Sequence, residues 1–508
     1  MPAIAPMGRS YRVRRHGSSD VGDRAPPIWQ SHTITWQTGA TAQGHPLLSI
    51  GRSHIPPIDN NETDAFTMTH AAVLRPTLLA LLIAGAGPAS AYQLYADDDT
   101  HLNANLEATF GIFHSQENYA PSGRLSEGSS SWREGYLKYG LSFDKGLAGV
   151  GTTYGAFGLL SSGTWGDGDA AGFTDGTERT TKIEDASLGW RSGKLFSALG
   201  DDGVDLSFGR QNIVVGDGFL IDGDALNLGK GVADGEFNRG GAYYLAARKN
   251  FDETAVLRLG GKEGWRSDLM WLKSDNRAQA KSELYVGTLE HVAKEATVGL
   301  TYIDVTDIDE EYASPLQLDR KDMKTYSLRA TGNAGVENLF LSGEYAEQDK
   351  RHVDNENAWY LEAGWTFKDV AWTPGVSYRY SRFSENYDTL FYGFSRGYGT
   401  WFQGEVAGNY AGPFNSNSKI QQLTFKVAPL ENLNLGAMLF DFKTLDKNLG
   451  NTDGHEFDLY AEWGVTQNLM VMPLIGLYQP DKSAEQGGTQ LGNNDTNLYS
   501  QVVFSFMY

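Results

Sequence analysis

The sequence predicts an all-β protein, a transmembrane antiparallel β-barrel of about 18 strands. Three observations predict it: the two-faced final strand, the same alternation upstream, and connections that are by turns short and long. In the final strand Leu498, Val502, Phe504, Phe506 and Tyr508 point one way, and Tyr499, Gln501 and Ser505 the other. That pattern gives one face to lipid and one to a polar interior. Its terminal aromatic resembles the signal that outer-membrane barrels present to their insertion machinery.

Alternation recurs along the chain. From His101 to Phe113, Leu102, Ala104, Leu106, Ala108, Phe110 and Ile112 share a face; Asn103, Asn105, Glu107 and Thr109 take the other. Trp359, Leu361, Ala363, Trp365 and Phe367 should face lipid, with Tyr360, Glu362, Gly364 and Thr366 inside. From Phe457 to Val465 the pattern returns, with Glu456, Asp458, Tyr460 and Glu462 inside. Period two over about ten residues is what a tilted strand needs to cross a bilayer.

Short turns are expected near residues 144–146, 260–264, 292–294, 333–337, 368–371, 429–431 and 466–468. Long polar loops are expected at 114–131, 162–180, 306–322, 348–356, 383–417, 444–453 and 479–494. A further connection, residues 212–253, is too long for a plain loop in a compact unit and reads as functional. It is expected to fold inward and narrow a lumen that would otherwise be wide and wet. Trp132, Trp265, Tyr302, Trp372 and Tyr380, near strand ends, read as interfacial girdle residues.

The bulk numbers fit. The 508 residues include 60 Gly, 61 aromatic residues and no Cys, and mean hydropathy is −0.39. Beyond residue 100 no run approaches the ~20 apolar residues of a membrane helix. A membrane protein this polar must close its strands into a barrel, because lipid leaves no partner for open backbone groups. Absence of Cys suits an oxidising compartment.

Residues 68–91 read as a secretory signal peptide: Arg75 supplies the charge, residues 78–84 the apolar centre, and Ala89-Ser90-Ala91 the cleavage site. Residues 1–67, Arg-rich and without periodicity, are expected to be disordered and to precede the true translation start at Met68. Residues 92–508 then form the barrel domain in the outer membrane of a Gram-negative bacterium. Residues 1–91 hold 7 of the 42 basic and 5 of the 63 acidic residues, which leaves 92–508 a net charge of −23. Such acidity argues against nucleic-acid binding. In outer loops, acids can bind lipopolysaccharide through divalent cations.

By parity the inward basic residues are Lys138, Arg191, Arg258, Arg266, Arg329, Arg379 and Lys426. The inward acids are Glu107, Glu134, Asp185, Asp205, Asp268, Glu344, Glu362, Glu456, Asp458 and Glu462. Rings of cations favour anions and rings of acids favour cations; here the signs are mixed, and for each residue a salt bridge between neighbouring strands is at least an equal reading. Parity puts Arg210 outward unless a bulge or rim position redirects it. The five His residues after residue 91 form no catalytic triad and show no metal-ligand spacing, so no enzyme activity, cofactor or metal is expected.

Phe208-Gly209-Arg210-Gln211, then Asp217, then Arg248-Lys249-Asn250-Phe251-Asp252 and Arg258, resembles the alginate export family. The runs 387–393 and 454–459 are similar in style. The resemblance covers about residues 102–508. It implies an 18-stranded monomeric barrel with an arginine-lined constriction that passes a polyuronate outward. Phe219 stands where that pattern leads one to expect a basic residue, which weakens the polyanion inference. The expected pore-lining set is Arg210, Asp217, Asp222, Arg248, Arg258, Arg266, Arg329, Arg379, Glu362, Glu456 and Asp458. The function read from sequence is a channel passing a hydrophilic polysaccharide or small solute by diffusion. The alternative is a substrate-specific uptake porin for small organic acids or other nutrients.

Overall fold

The computed structural model describes residues 92–351, 353–393 and 403–507. The expected signal peptide, the segment before it, His352 and Tyr508 lie outside the described residues. The short strand β1 (Tyr92–Ala96) precedes β2 (Thr100–Ser115), β3 (Ser130–Leu147), β4 (Gly151–Gly166), β5 (Arg179–Arg191) and β6 (Val204–Arg210). A small hairpin, β7 (Val214–Val215) with β8 (Ile221–Asp222), sits in the next connection. Then follow β9 (Glu253–Leu259), β10 (Gly264–Lys273), β11 (Glu283–Val292), β12 (Ala296–Asp307), β13 (Lys324–Gly332) and β14 (Leu339–Asp349). The last are β15 (Glu356–Thr366), β16 (Gly375–Phe383), β17 (Ser418–Leu430), β18 (Leu433–Thr444), β19 (Gly454–Gly464), β20 (Leu469–Pro480) and β21 (Asn497–Met507).

Each barrel strand pairs antiparallel with its neighbours, β6 pairs with β9 across the long connection, and β21 pairs with β2, from Glu107↔Met507 to Ser115↔Tyr499. The result is a closed barrel of 18 strands. Closure removes the open edges that a sheet of this size would expose. β1 is additional: it covers the part of β2's edge that β21 does not reach, from Tyr92↔Ala104 to Ala96↔His101.

The two faces separate as the alternation requires. Leu361 is 62% exposed and Leu459 48%, while Glu362 between Leu361 and Ala363 is 8% exposed and Asp458 beside Leu459 is fully buried. On β21, Leu498 and Phe504 are exposed and Tyr499, Gln501 and Val503 buried. An apolar belt of this extent would not persist on a monomer in water. No described helix is long and apolar enough to cross a membrane.

Most connections at one rim are short and most at the other long, though β5–β6 and β15–β16 at the short rim exceed β14–β15 at the long one. One expected boundary moves, and one connection has no turn assigned in the sequence reading. The β3–β4 turn falls at 148–150, because pairing continues to Leu147↔Gly151 and Gly149 and Gly151 take the positive φ the turn requires. The β5–β6 connection spans 192–203 and carries a short 3-10 turn at Ser197–Leu199. Trp132 is not a girdle residue. Its neighbour Arg133 takes the outward position, and Trp132 is 2% exposed, stacked on Phe113 at 5.2 Å. Trp265, Tyr302 and Trp372 are exposed on the outer wall.

Candidate functional site

The connection between β6 and β9, residues 211–252, crosses the lumen. Its Asp217 accepts hydrogen bonds from Ser342 Oγ (3.2 Å) on β14 and Tyr360 Oη (2.6 Å) on β15. Phe219 packs on Tyr360 and Phe383, ring centroids 5.3 and 5.9 Å away. Further along the same connection, the Leu245 N–H donates to Glu134 on β3 (3.2 Å), and Tyr244 Oη accepts from Gln501 on β21 (2.6 Å). One segment therefore touches both β14–β16 and the β2/β3/β21 wall. Its apolar residues Ile213, Val215, Phe219, Leu220 and Ile221 are all nearly fully buried. Removing such side chains from water is worth ~1.5–3 kcal/mol each, which drives the loop inward. Phe219, the departure from the alginate export pattern, thus serves packing.

The described parts of the β16–β17 connection fold inward as well. Val406 and Ala407 donate their N–H groups to Glu456 (2.8 and 2.9 Å) on β19, and Tyr410 lies edge-on to Trp132 at 5.6 Å.

Where the crossing loop meets β5, β6 and β10, three arginines converge on one carboxylate. Asp275, just after β10, lies 2.9 Å from Arg210 Nη1, 3.3 Å from Arg239 Nη2 and 3.6 Å from Arg248 Nη2. Arg210 also binds Asp252, Arg248 binds Glu184 (3.1 Å), and Arg239 binds the fully buried Asp224 (2.9 Å). All three arginines are about 7% exposed. Burial would raise the Asp275 carboxyl, but Arg239, Arg210 and Arg248 outweigh it and hold it below the ordinary carboxylate value. Burial, then the neighbouring Arg239, lower the Arg248 guanidinium. Burial raises the Asp224 carboxyl despite Arg239. Arg210 Nε and Nη2 and Arg239 Nε have no hydrogen-bond partner among the described residues.

Arg210 reaches this site because Gly209 breaks the strand's alternation. Phe208 points outward, Gly209 takes φ +103°, and Arg210 then turns inward. A Cβ on Gly209 would lie 2.2 Å from the Ala186 carbonyl oxygen, so no other residue fits. On β5 a register shift opposite Gly158/Leu159 leaves Glu184 unpaired in the ladder, free to serve Arg248 and the N–H groups of Lys249 and Asn250.

A cavity of about 320 Å³ opens beside the cluster. Arg179, Lys182, Arg239, Arg248 and Arg277 contribute cations to its lining, and Glu236 and Asp275 contribute acids. Nearer the short-turn rim the wall charges stay partly exposed: Lys138 with Asp185 (2.8 Å), Arg258 with Asp205 (4.0 Å), and Arg191 over the Tyr154 ring.

The other sequence candidates are placed as follows. Arg266 and Arg329 both bind Glu290. Arg379 pairs with Glu362 (3.0 Å) on the next strand. Lys426 pairs with Glu462 (2.5 Å). Glu456 and Asp458 sit under the β16–β17 connection, and Asp222 lies in the small hairpin, its carboxyl raised by burial and partly opposed by Lys249. Of the candidate set, then, only Arg210 and Arg248 share the three-arginine cluster. Sequence reasoning missed Arg239, Asp275 and Glu184. It also missed Arg320, fully buried and bound through two nitrogens to Asp388 (2.8 and 2.7 Å).

No family model matches this chain, and no curated protein does. Among solved structures, the chain is similar to OccK7 (OpdD) of Pseudomonas aeruginosa, with TM-score 0.50 and 12% identity over 82% of this chain and 99% of that one. OccK8 (OprE) of Pseudomonas aeruginosa and OccAB4 of Acinetobacter baumannii each give TM-score 0.49 and 11% identity, over 80% of this chain and 98% of theirs. At such identity the likeness is one of fold alone. The resemblance to the alginate export family is not confirmed by these comparisons.

Proposed function

We propose that the chain is a passive channel of the Gram-negative outer membrane, taking up small organic acids. The observation that carries this reading is the cavity of about 320 Å³ with five cationic and two acidic side chains in its lining, next to the three-arginine cluster. Its size suits a small molecule. A polysaccharide would need both inward-folded connections displaced, so the geometry favours the small-solute reading over polymer export. A carboxylate would meet Lys182 and Arg277, then Arg239 and Arg248 beside Asp275. It would continue past the partly exposed charges nearer the short-turn rim. Because Arg239 and Arg248 already have acidic partners, a solute is held weakly enough there to leave again, which diffusion through a pore demands.

Liposome swelling with small mono- and dicarboxylates against neutral sugars of similar size tests the proposal. Faster entry of the acids, with an anion-selective reversal potential in a salt gradient, is the expected result. Cation selectivity, or swelling independent of solute charge, would sink it.

A further inference from the structure

The outer wall carries a row of cations that the barrel's own fold does not explain. Arg382 on β16, Lys419 on β17 and Lys443 on β18 stand directly opposite one another in the ladder: Arg382↔Lys419 and Lys419↔Lys443. All three point outward, since Ser381 and Phe383, Ser418 and Ile420, and Phe442 and Thr444 on either side are buried. Like charges directly opposite on one face of a sheet destabilise it. The available acids do not cancel them. Lys443 lies 3.6 Å from Asp441 and 3.8 Å from Asp481, and Asp441 is shared with His455 (3.2 Å). Arg382 binds only an amide oxygen, Asn357 Oδ1 at 3.1 Å, and Lys419 makes no ion pair among the described residues.

The height of the row identifies its partner. Two residues towards the barrel's middle, Tyr380 stacks beside Trp359 at 5.2 Å, and two further Tyr378 is 44% exposed. Tyr and Trp on a barrel's outer face mark the level of the interface. The cations lie level with Trp359, which stands directly opposite Arg382, and just beyond Tyr380 and Tyr378 towards the long-loop rim, which faces outward in barrels of this kind. At that height the neighbouring negative groups are headgroup phosphates.

We propose that Arg382, Lys419 and Lys443 form a binding site for the phosphates of a glycolipid in the outer leaflet, of the lipid A class. The site rests on the reading of the chain as an outer-membrane barrel and is independent of the solute. Three adjacent cations match a diphosphorylated headgroup, and the adjoining aromatic surface matches its acyl chains.

The test uses detergent-solubilised full-length barrel, with lipid binding followed by native mass spectrometry. The probes are diphosphorylated lipid A and its dephosphorylated form. The parent should prefer the phosphorylated lipid, and the combined R382Q/K419Q/K443Q variant should bind it on the order of a hundredfold more weakly. In lipid-free detergent the same variant should melt no lower than the parent, because its repulsion is relieved. A purely structural role would instead lower the melting temperature. If the combined variant does not fold, K419Q alone carries the test, with a loss of about fivefold. Equal binding of both lipids, or equal binding by parent and variant, overturns the proposal.

Discussion

Two arginine sites inside the barrel are built in opposite ways. Arg320 is fully buried, and each of its terminal nitrogens has a partner: Asp388 takes two hydrogen bonds, and Gln279 and Ser282 take the rest. Burial would raise the Asp388 carboxyl, but Arg320 and Lys350 keep it low. Arg210, Arg239 and Arg248 instead share Asp275 and leave three nitrogens without partners among the described residues, and Arg239 and Arg248 line a cavity. A saturated pair fixes the position of two loops. The three unpartnered nitrogens are themselves buried, so a further acceptor would reach the cluster through Arg239 and Arg248, where they line the cavity. Under the proposed function, the first kind of charge builds the lumen and the second meets what passes through it.

The largest effect should follow from breaking the saturated pair. R320A leaves Asp388 buried without its cation, and a broken buried pair costs ~3–5 kcal/mol. The 308–323 and 384–393 segments should loosen, with a clear fall in the melting temperature of the solubilised barrel. An unchanged melting temperature would show that Arg320 is no more structural than the cluster. Next in size is G209A. The added Cβ meets the Ala186 carbonyl at 2.2 Å in a backbone region hostile to side chains, a strain of ~1–3 kcal/mol. The barrel should still form, since Gly209 lies near the end of a short strand, but Arg210 should lose its aim. Reduced anion selectivity with modest destabilisation is the expected combination; full selectivity would disconnect Arg210 from the pore.

The contrast also explains what could be read in advance. The barrel was legible because period-two alternation is local: Leu361 and Glu362 declare their faces whatever the loops do. Inward charges on regular strands, such as Glu362, Arg379 and Lys138, were legible for the same reason. Arg210 was legible by parity only with a bulge, because parity counts residues and Gly209 breaks the count; a glycine just before an arginine at a strand end was the signal for where the break falls. Trp132 was misplaced because nearness to a strand end suggested a girdle, while its face is set by Arg133 beside it. Arg239 and Asp275 carried no signal. They lie in connections without periodicity, and they meet only because the 211–252 segment crosses the lumen.

The smallest effect tests the cluster from its acidic side. D275N preserves shape and removes one negative charge from among three arginines. Unlike loss of Asp388's partner, it should cost little stability, because Asp252, Asp224 and Glu184 still serve the arginines. The reversal potential in a potassium chloride gradient should move towards chloride. Acidity should reproduce the shift in the parent. The Asp275 carboxyl is held below its ordinary value, so its bonds to the arginines persist from neutral pH down past about 4, where a free aspartate takes up its proton. Only as pH falls through that lowered value does the proton displace the arginines and free them for anions. D275N lacks this group, so the difference in selectivity between parent and variant should be constant above about pH 4 and shrink below it. A difference that stayed constant to the lowest pH the barrel tolerates would mean that the three arginines bind Asp275 without presenting it to the pore, and the two sites would then be of one kind.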